Sequence, residues 1–346
     1  MVKITSHDTL LAAKAGQSYK KELPFSIAGK EFVAESEVVN GEMETIEFTK
    51  PLGEMLTSPQ GAEDLLRKVV LDVDLGREQV PLLYKSIYRT IEDSTLPKLI
   101  DATFAQRGNV IFTEWQEGEE IKFGALSAEK GPATRLTAFA AGFEYTEDMV
   151  LYNEQFGMQV LNEAFGEAYN ALLNDLHLGP IIKYNEYPAA NQTSAVTTFT
   201  GDFALERNTI ATLNAALTAS RKDHRAGTVL LASSEDQVQI EAAFANYTVG
   251  ATPFPGVTGI NEVIFYDGWE TTVGKKQYTY EGVPKGTAFL IRPKRGLIEF
   301  VKHGLRIDSA LADLSRLIEA QVVARTRRGA YIAIDDNVQK ITLPTA

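Results

Sequence analysis

The residue types that ligate metals, carry protons or attack carbonyls are few in this chain and poorly spaced for such work. The four histidines, His7, His177, His224 and His303, lie far apart, and none stands at a metal-ligand spacing from another. Cysteine is absent, which removes thiolate ligands, nucleophilic thiols and disulfides together. Asp72-Val-Asp74-Leu-Gly76 is like the opening of a calcium loop, but the glycine and closing glutamate are missing at the required offsets. A solvated acidic cluster at a helix end is the better reading. No glycine-rich phosphate loop, Gly-Xaa-Ser-Xaa-Gly turn or His-Glu-Xaa-Xaa-His pair occurs. The expectation is therefore no catalytic, cofactor-binding or metal-binding residue, no cofactor and no enzyme. The cluster Arg325, Arg327 and Arg328 has the charge to touch DNA, yet pairing with acids across a contact between subunits suits it better.

Charge and composition narrow the classes further. With 46 acidic against 34 basic residues the net charge is -12, which argues against a protein whose main task is gripping phosphates. It leaves room for enclosing nucleic acid without sequence-specific binding. No run of apolar residues is long enough to span a membrane, and the patch Leu10-Leu11-Ala12-Ala13 makes a poor export signal, so cytoplasmic synthesis is expected. The segment from Glu31 to Glu54 carries seven acids against one base, while Lys285 to Arg328 carries ten bases against four acids. Either block can be a solvated face. The sharper hypothesis lays the acidic segment of one copy on the basic segment of another.

The element that organises the chain is an amphipathic segment from Thr146 to Leu178. Thr146 can cap it, Glu147 and Asp148 suit the first turn, and Met149, Tyr152, Phe156, Val160, Ala164, Ala168 and Leu172 recur at helical spacing. Gly179-Pro180 is read as the stop. Such a helix is about 50 Å long at ~1.5 Å per residue, so it must cross more than one packing environment. Before it, Val110–Phe123 and Leu136–Tyr145 alternate apolar and polar residues around Glu129-Lys130-Gly131-Pro132, which reads as a long hairpin. A two-stranded ribbon is marginal alone in water. Its cover is expected from a neighbouring copy.

Residues 1–60 read as an arm with little core, containing a hairpin that turns at Asn40-Gly41. Gly61 to Ile100 reads as two helical pieces: a short one on Leu65, Leu66, Val69 and Val70, and one after Pro81 on Leu82, Leu83, Ile87 and Ile91. After a linker-like stretch, residues 191–200, a compact α/β unit is expected. Its parts are a helix from Phe203 to Arg221, a strand from Thr228 to Ala232, a Ser233- or Ser234-capped helix from Glu235 to Ala245, and strands at Val263–Tyr266 and Ala288–Ile291. Tyr247 to Ile260, rich in glycine and proline, reads as an irregular loop. At the end, Leu297–Val301 is a strand, Arg327-Arg328-Gly329 separates two more, and Ser309–Val323 fits helix or strand.

Arm, hairpin, long helix, inserted α/β unit and final strands occur in an order that resembles the major capsid proteins of tailed double-stranded DNA bacteriophages, the Hong Kong phage capsid fold. Ala141-Gly-Phe-Glu-Tyr-Thr-Glu-Asp-Met-Val150 and Ala324-Arg-Thr-Arg-Arg-Gly-Ala-Tyr-Ile-Ala333 carry the resemblance. It implies an α+β fold divided into an N-terminal arm with the first helices (1–106), an extended loop (107–143), a peripheral domain on the spine helix (144–190 and 290–346) and an axial domain (191–289). It also implies hexamers and pentamers in an icosahedral shell, located in the virion and assembled in the bacterial host cytoplasm, with a portal and, as in some members, a cement protein as partners. No helical scaffolding segment is visible at the N-terminus, so a separate scaffold protein is expected. Some members crosslink an extended-loop lysine to an asparagine; here Lys122, Lys130 and Asn337 would be the candidates, and solvated loop tips are the plainer expectation. Two alternatives stand beside this reading. One is an encapsulin-like nanocompartment enclosing protein cargo, and the other an α/β enzyme or ligand-binding protein centred on residues 200–290 with a pocket of convergent polar groups.

Overall fold

The computed structural model of the chain describes all residues except 1, 15, 28–29, 40–41, 44–58, 101–106, 110–124, 128–133, 153–154, 223–224, 250–251, 274, 311–317 and 346. Two sheets are built from strands β1 (Lys3–Thr5), β2 (Tyr19–Ile27), β3 (Lys30–Val39), β4 (Glu42–Met43), β5 (Arg89–Glu92), β6 (Thr137–Thr146), β7 (Gln192–Thr193), β8 (Val229–Ala232), β9 (Glu262–Phe265), β10 (Thr287–Ile291), β11 (Leu297–Ala310), β12 (Ile318–Ile332) and β13 (Val338–Thr342). The helices are α1 (His7–Lys14), α2 (Pro59–Gln79), α3 (Glu147–Leu151), α4 (Gln155–Lys183), α5 (Ala204–Lys222), α6 (Gln237–Ala243) and α7 (Ile334–Asn337).

The first sheet has seven strands in the order β6-β12-β11-β2-β3-β4, with β5 beside β11. Its inner face buries Phe25, Ala34, Val38, Tyr145, Ile307, Val322 and Ala324 against α2 and the N-terminal half of α4. The second sheet has six strands in the order β1-β9-β8-β10-β13-β7. Helices α5 and α6 cover one face through Leu213, Leu217 and Ile240. Leu173, Leu178 and Ile181 of α4, with Tyr84 and Ile87, cover the other. Strand β8 is buried on both faces, which is why it reads as the unbroken apolar run Val229-Leu-Leu-Ala232.

Helix α4 therefore runs under both sheets. Its 29 residues make it about 44 Å long at ~1.5 Å per residue. It crosses α2 at glycines: a Cβ on Gly166 would lie 1.9 Å from the Val73 carbonyl oxygen, and one on Gly76 1.9 Å from that of Glu163. The two backbones touch because neither position carries a side chain.

Several elements differ from the sequence expectation. The long helix is interrupted, with α3 ending at Leu151 and α4 beginning at Gln155. It also runs past Gly179-Pro180 to Lys183. One helical hydrogen bond is lost at Pro180. Burial of Leu178 and Ile181, both fully enclosed, offsets it. Of the expected hairpin, Leu136–Tyr145 falls largely in β6, which pairs antiparallel with β12 along its length and turns Phe143 and Tyr145 to the helix layer, while Val110–Phe123 lies outside the described residues. Elsewhere in the extended loop Arg107–Asn109 pairs with Ala125–Ser127 and Thr134–Arg135 with Leu99–Ile100, while residues 110–124 and 128–133 lie outside the described residues. In the arm, β4 pairs with the end of β3 across Asn40-Gly41, as the turn signal suggests, while β2, β3 and β1 dock on the chain's own sheets. The helix read after Pro81 is a 3-10 turn at Tyr84–Ser86 followed by β5, since Ile91 gains more as a partner of β11 than on a free helix. Tyr247–Val249 and Thr252–Phe254 form a small hairpin inside the expected loop. Arg327-Arg328-Gly329 interrupts nothing; β12 runs through it, paired with β11 on one side and β6 on the other.

Candidate assembly surface and the buried junction beneath it

On β12 the side chains alternate between faces. Val322, Ala324 and Thr326 are buried, while Val323, Arg325 and Arg327 are exposed. The ladder extends this outer face sideways. Ala138 and Ala140 of β6 lie opposite Arg327 and Arg325. Across β12, Arg306 and His303 of β11 lie opposite the same two arginines. The result is a groove of about 340 Å³ floored by alanines and bordered by His303, Arg306, Arg325 and Arg327. Arg325 meets Asp308 at 2.9 Å, and Arg306 meets the same carboxylate at 3.3 Å. Arg327 has no acid partner among the described residues.

Following the same face to the far edge reverses the charge. Asp308 of β11 pairs with Ser26 of β2, and Ser26 pairs with Glu31 of β3, so Glu31, Val33, Glu35 and Glu37 share the face of Arg325 and Arg327. The opposite row of β3, Ala34, Ser36 and Val38, is buried. Glu37 is held by Lys20 at 3.2 Å, an exposed pair.

The third arginine of the cluster faces inward. Arg328 donates to Glu299 at 2.7 Å beneath the sheet. Tyr84 and Thr90 hydroxyls donate to the same carboxylate, each at 3.0 Å, and His177 Nε2 lies 3.4 Å away. The imidazole stacks on Tyr84 with centroids 3.7 Å apart, and its Nδ1 donates to the Leu173 carbonyl at 2.6 Å. Glu299 is 3% exposed. Burial opposes its ionisation, but hydrogen bonding and charge from His177, the Arg328 guanidinium and the Thr90 hydroxyl outweigh that and hold the carboxyl down to about 2. This junction ties β5, β11, β12, the Tyr84 turn and α4 together. Sequence reasoning passed over it, although an acid inside the apolar run Leu297-Ile-Glu-Phe-Val301 was a visible signal.

Other singled-out residues resolve as follows. Asp72 and Asp74 are not at a helix end; they lie within α2 and are buried, because α2 continues through its glycine crossing with α4. Asp72 meets Lys68 at 3.3 Å and accepts from Asn162 at 3.1 Å, and Asp74 pairs with Lys21 and, at 3.1 Å, with Arg77. Burial pushes the Asp72 carboxyl up against the pull of Asn162 and Lys68. The Asn337 amide is buried and donates to the Ala333 carbonyl at 2.9 Å, while Lys122 and Lys130 lie outside the described residues. His7 opens α1, and His224 lies outside the described residues.

A second cavity, of about 390 Å³, lies between α4 and the inner face of β6 and β12. Phe165, Ala168 and Leu172 line it from the helix and Phe139, Ala141 and Ala324 from the strands. Its walls are mostly apolar, with Tyr169, Tyr280, Arg325 and Thr326 the polar side chains among them. Among the described residues no three potential ligands come together for a metal, and no helix is long and apolar enough to cross a membrane.

Neither a family model nor a curated protein sequence matches this chain. Solved structures do. A chain from the asymmetric unit of the bacteriophage PhiM1 mature capsid is 12% identical, with a TM-score of 0.54 over 77% of this chain and 88% of that one. A virus-like particle from Pyrococcus furiosus gives 9% identity and a TM-score of 0.48 over 80% and 99% of the two chains. The capsid of cyanophage P-SCSP1u gives 10% and 0.47 over 77% and 89%. Only the first exceeds one half, and at such identity it speaks to architecture alone. The long helix beneath a strand-rich body with an added α/β unit is thus the fold of a phage capsid chain, of the Hong Kong phage type that the sequence resembles.

Proposed function

We propose that the protein is the major capsid subunit of a tailed phage, assembling with itself into an icosahedral shell around double-stranded DNA. The observation that carries this reading is the likeness to the PhiM1 mature capsid chain over most of both molecules. Two properties of this chain support it. Its net charge of -12 suits a container from which packed DNA must slide, since tight phosphate binding would hold the cargo back. Its first sheet also presents opposite charges at opposite ends of one face, which suits contacts between unlike patches that repeat and close.

Within this reading, residues 1–106 form the arm and first helices, 107–143 the extended loop, 144–190 with 290–346 the peripheral domain, and 191–289 the axial domain. The axial sheet would also draw on residues 3–5 and 338–342, which pair within it. Hexamers and pentamers form around the axial domains, and a separate scaffold, a portal and a cement protein complete the particle. It assembles in the bacterial cytoplasm and performs no catalysis. Sedimentation and negative-stain microscopy of the purified protein test this directly. Megadalton shells with nuclease-protected DNA from infected cells are expected. Shells holding a protein cargo would point to a nanocompartment, and a stable monomer or dimer under all assembly conditions would overturn both.

A further inference from the structure

Lys68 and Asp72 of α2, Asn162 of α4 and Tyr145 of β6 form a polar cluster within the apolar core that also holds Leu65, Val69 and Met158. Lys68 is 5% exposed, Tyr145 2%, and Asp72 and Asn162 not at all. One Asp72 oxygen meets Lys68 Nζ at 3.3 Å, and the other accepts from Asn162 Nδ2 at 3.1 Å. The Tyr145 hydroxyl donates to Asn162 Oδ1 at 3.3 Å. Helices α2 and α4 run side by side in the same direction: Asn170 donates to the Arg77 carbonyl and Asn174 to that of Pro81, each pair 93 positions apart. At that offset Lys68 lies level with Leu161 and Asn162. A lysine this deep loses hydration that one shared carboxylate restores only in part. The same desolvation favours passing the ammonium proton to the carboxylate, which leaves a neutral amine beside a neutral acid. Burial pushes the Asp72 carboxyl up, in that direction.

We propose that Lys68 and Asn162 of one chain join through an amide bond between their side chains, with Asp72 moving the proton and Tyr145 holding the oxygen. Lys68 Nζ, relieved of a proton by Asp72, is the nucleophile and attacks Asn162 Cγ. As the new C–N bond forms, negative charge collects on Oδ1, where the Tyr145 hydroxyl already donates. Asp72 faces the leaving Nδ2 through its other oxygen and hands the proton over; the old C–N bond breaks and ammonia departs. One amide is exchanged for another, so the step balances without oxidant, metal or energy donor. A carboxamide is a poor acyl donor, and what this site supplies is an amine, a proton carrier and an oxyanion donor fixed around it. The reaction runs once per chain, without turnover. It ties α2 to α4 beside their glycine crossing, stands on the fold alone and does not depend on the shell reading.

Mass spectrometry of the intact, denatured chain reads the bond directly. The parent should weigh one ammonia less than its sequence, and trypsin should release a branched peptide in which an uncut Lys68 carries the peptide containing Asn162. Lys68→Met and Asp72→Asn should each keep the full mass of their sequence. The second variant retains the shape of the cluster and both reacting groups and removes only the proton carrier. A parent chain at full mass, cleaved normally after Lys68, overturns the proposal without recourse to any variant. Loss of ammonia with Lys68 still cleaved would place the loss elsewhere and overturn it equally, and a branched peptide from Asp72→Asn would overturn the role given to Asp72.

Discussion

Replacing Glu299 with glutamine tests the buried junction quantitatively. In the fold this carboxyl titrates near 2 against an ordinary value of 4.5, so its ionised form is favoured by the native state. A depressed carboxyl contributes stability in full above its unfolded value and loses it as pH falls towards its folded one. At about 1.4 kcal/mol per pH unit, Glu299 contributes about 3 kcal/mol at neutral pH and about 1 kcal/mol at pH 3. Glutamine abolishes that contribution and leaves the Arg328 guanidinium facing a neutral partner 2.7 Å away beneath the sheet. Losing one member of a buried pair costs about 3 to 5 kcal/mol. Urea unfolding of the unassembled subunit, followed by tryptophan fluorescence from pH 7 to pH 3, reads this out. Glu299→Gln should be less stable than the parent at pH 7, and the gap should narrow by about 2 kcal/mol at pH 3. A gap that stays constant with pH, or no gap at pH 7, would sink the argument.

Three further outcomes follow from the packing. Gly166→Val should separate α2 from α4 and cost about 3 kcal/mol or more, read as loss of soluble subunit, because its Cβ would stand 1.9 Å from the Val73 carbonyl oxygen; a normally melting variant would contradict the close crossing. Ala168→Leu, growing into the 390 Å³ cavity, should raise stability by about 0.5 to 2 kcal/mol in the same urea assay; a lowered midpoint would mean that the cavity cannot take the side chain. Phe165→Asp, which sets a charge against the Phe143 ring now 5.8 Å away, should leave no soluble particle after expression, and particles visible by negative stain would count against a buried helix face there.

Elements with strong local signals were legible in the sequence. The strand Val229–Ala232, the helix Ala204–Lys222 and the cap at Ser233, whose side chain accepts from the Glu235 amide, follow from apolar runs, period and capping chemistry. Where tertiary packing decides, local rules failed. Pro180 stays inside α4 because the residues on either side of it are enclosed, and Ile91 joins a strand because β11 is there to receive it. Gly76 and Gly166 look like helix weaknesses in one dimension and are a backbone contact in three. The arginine cluster shows the limit most clearly. Three neighbouring residues of one type divide by strand alternation, Arg325 and Arg327 outward and Arg328 inward, and nothing in composition separates them.

Helix α4 touches the cores under both sheets and is fastened to one of them through His177 and Glu299. A rod gripped at both ends transmits torque, so the two bodies cannot swivel independently without bending it. In the shell proposed above, a change of curvature would place the strain at the seams between molecules, where side chains meet in water, and each tile would turn as a stiff plate.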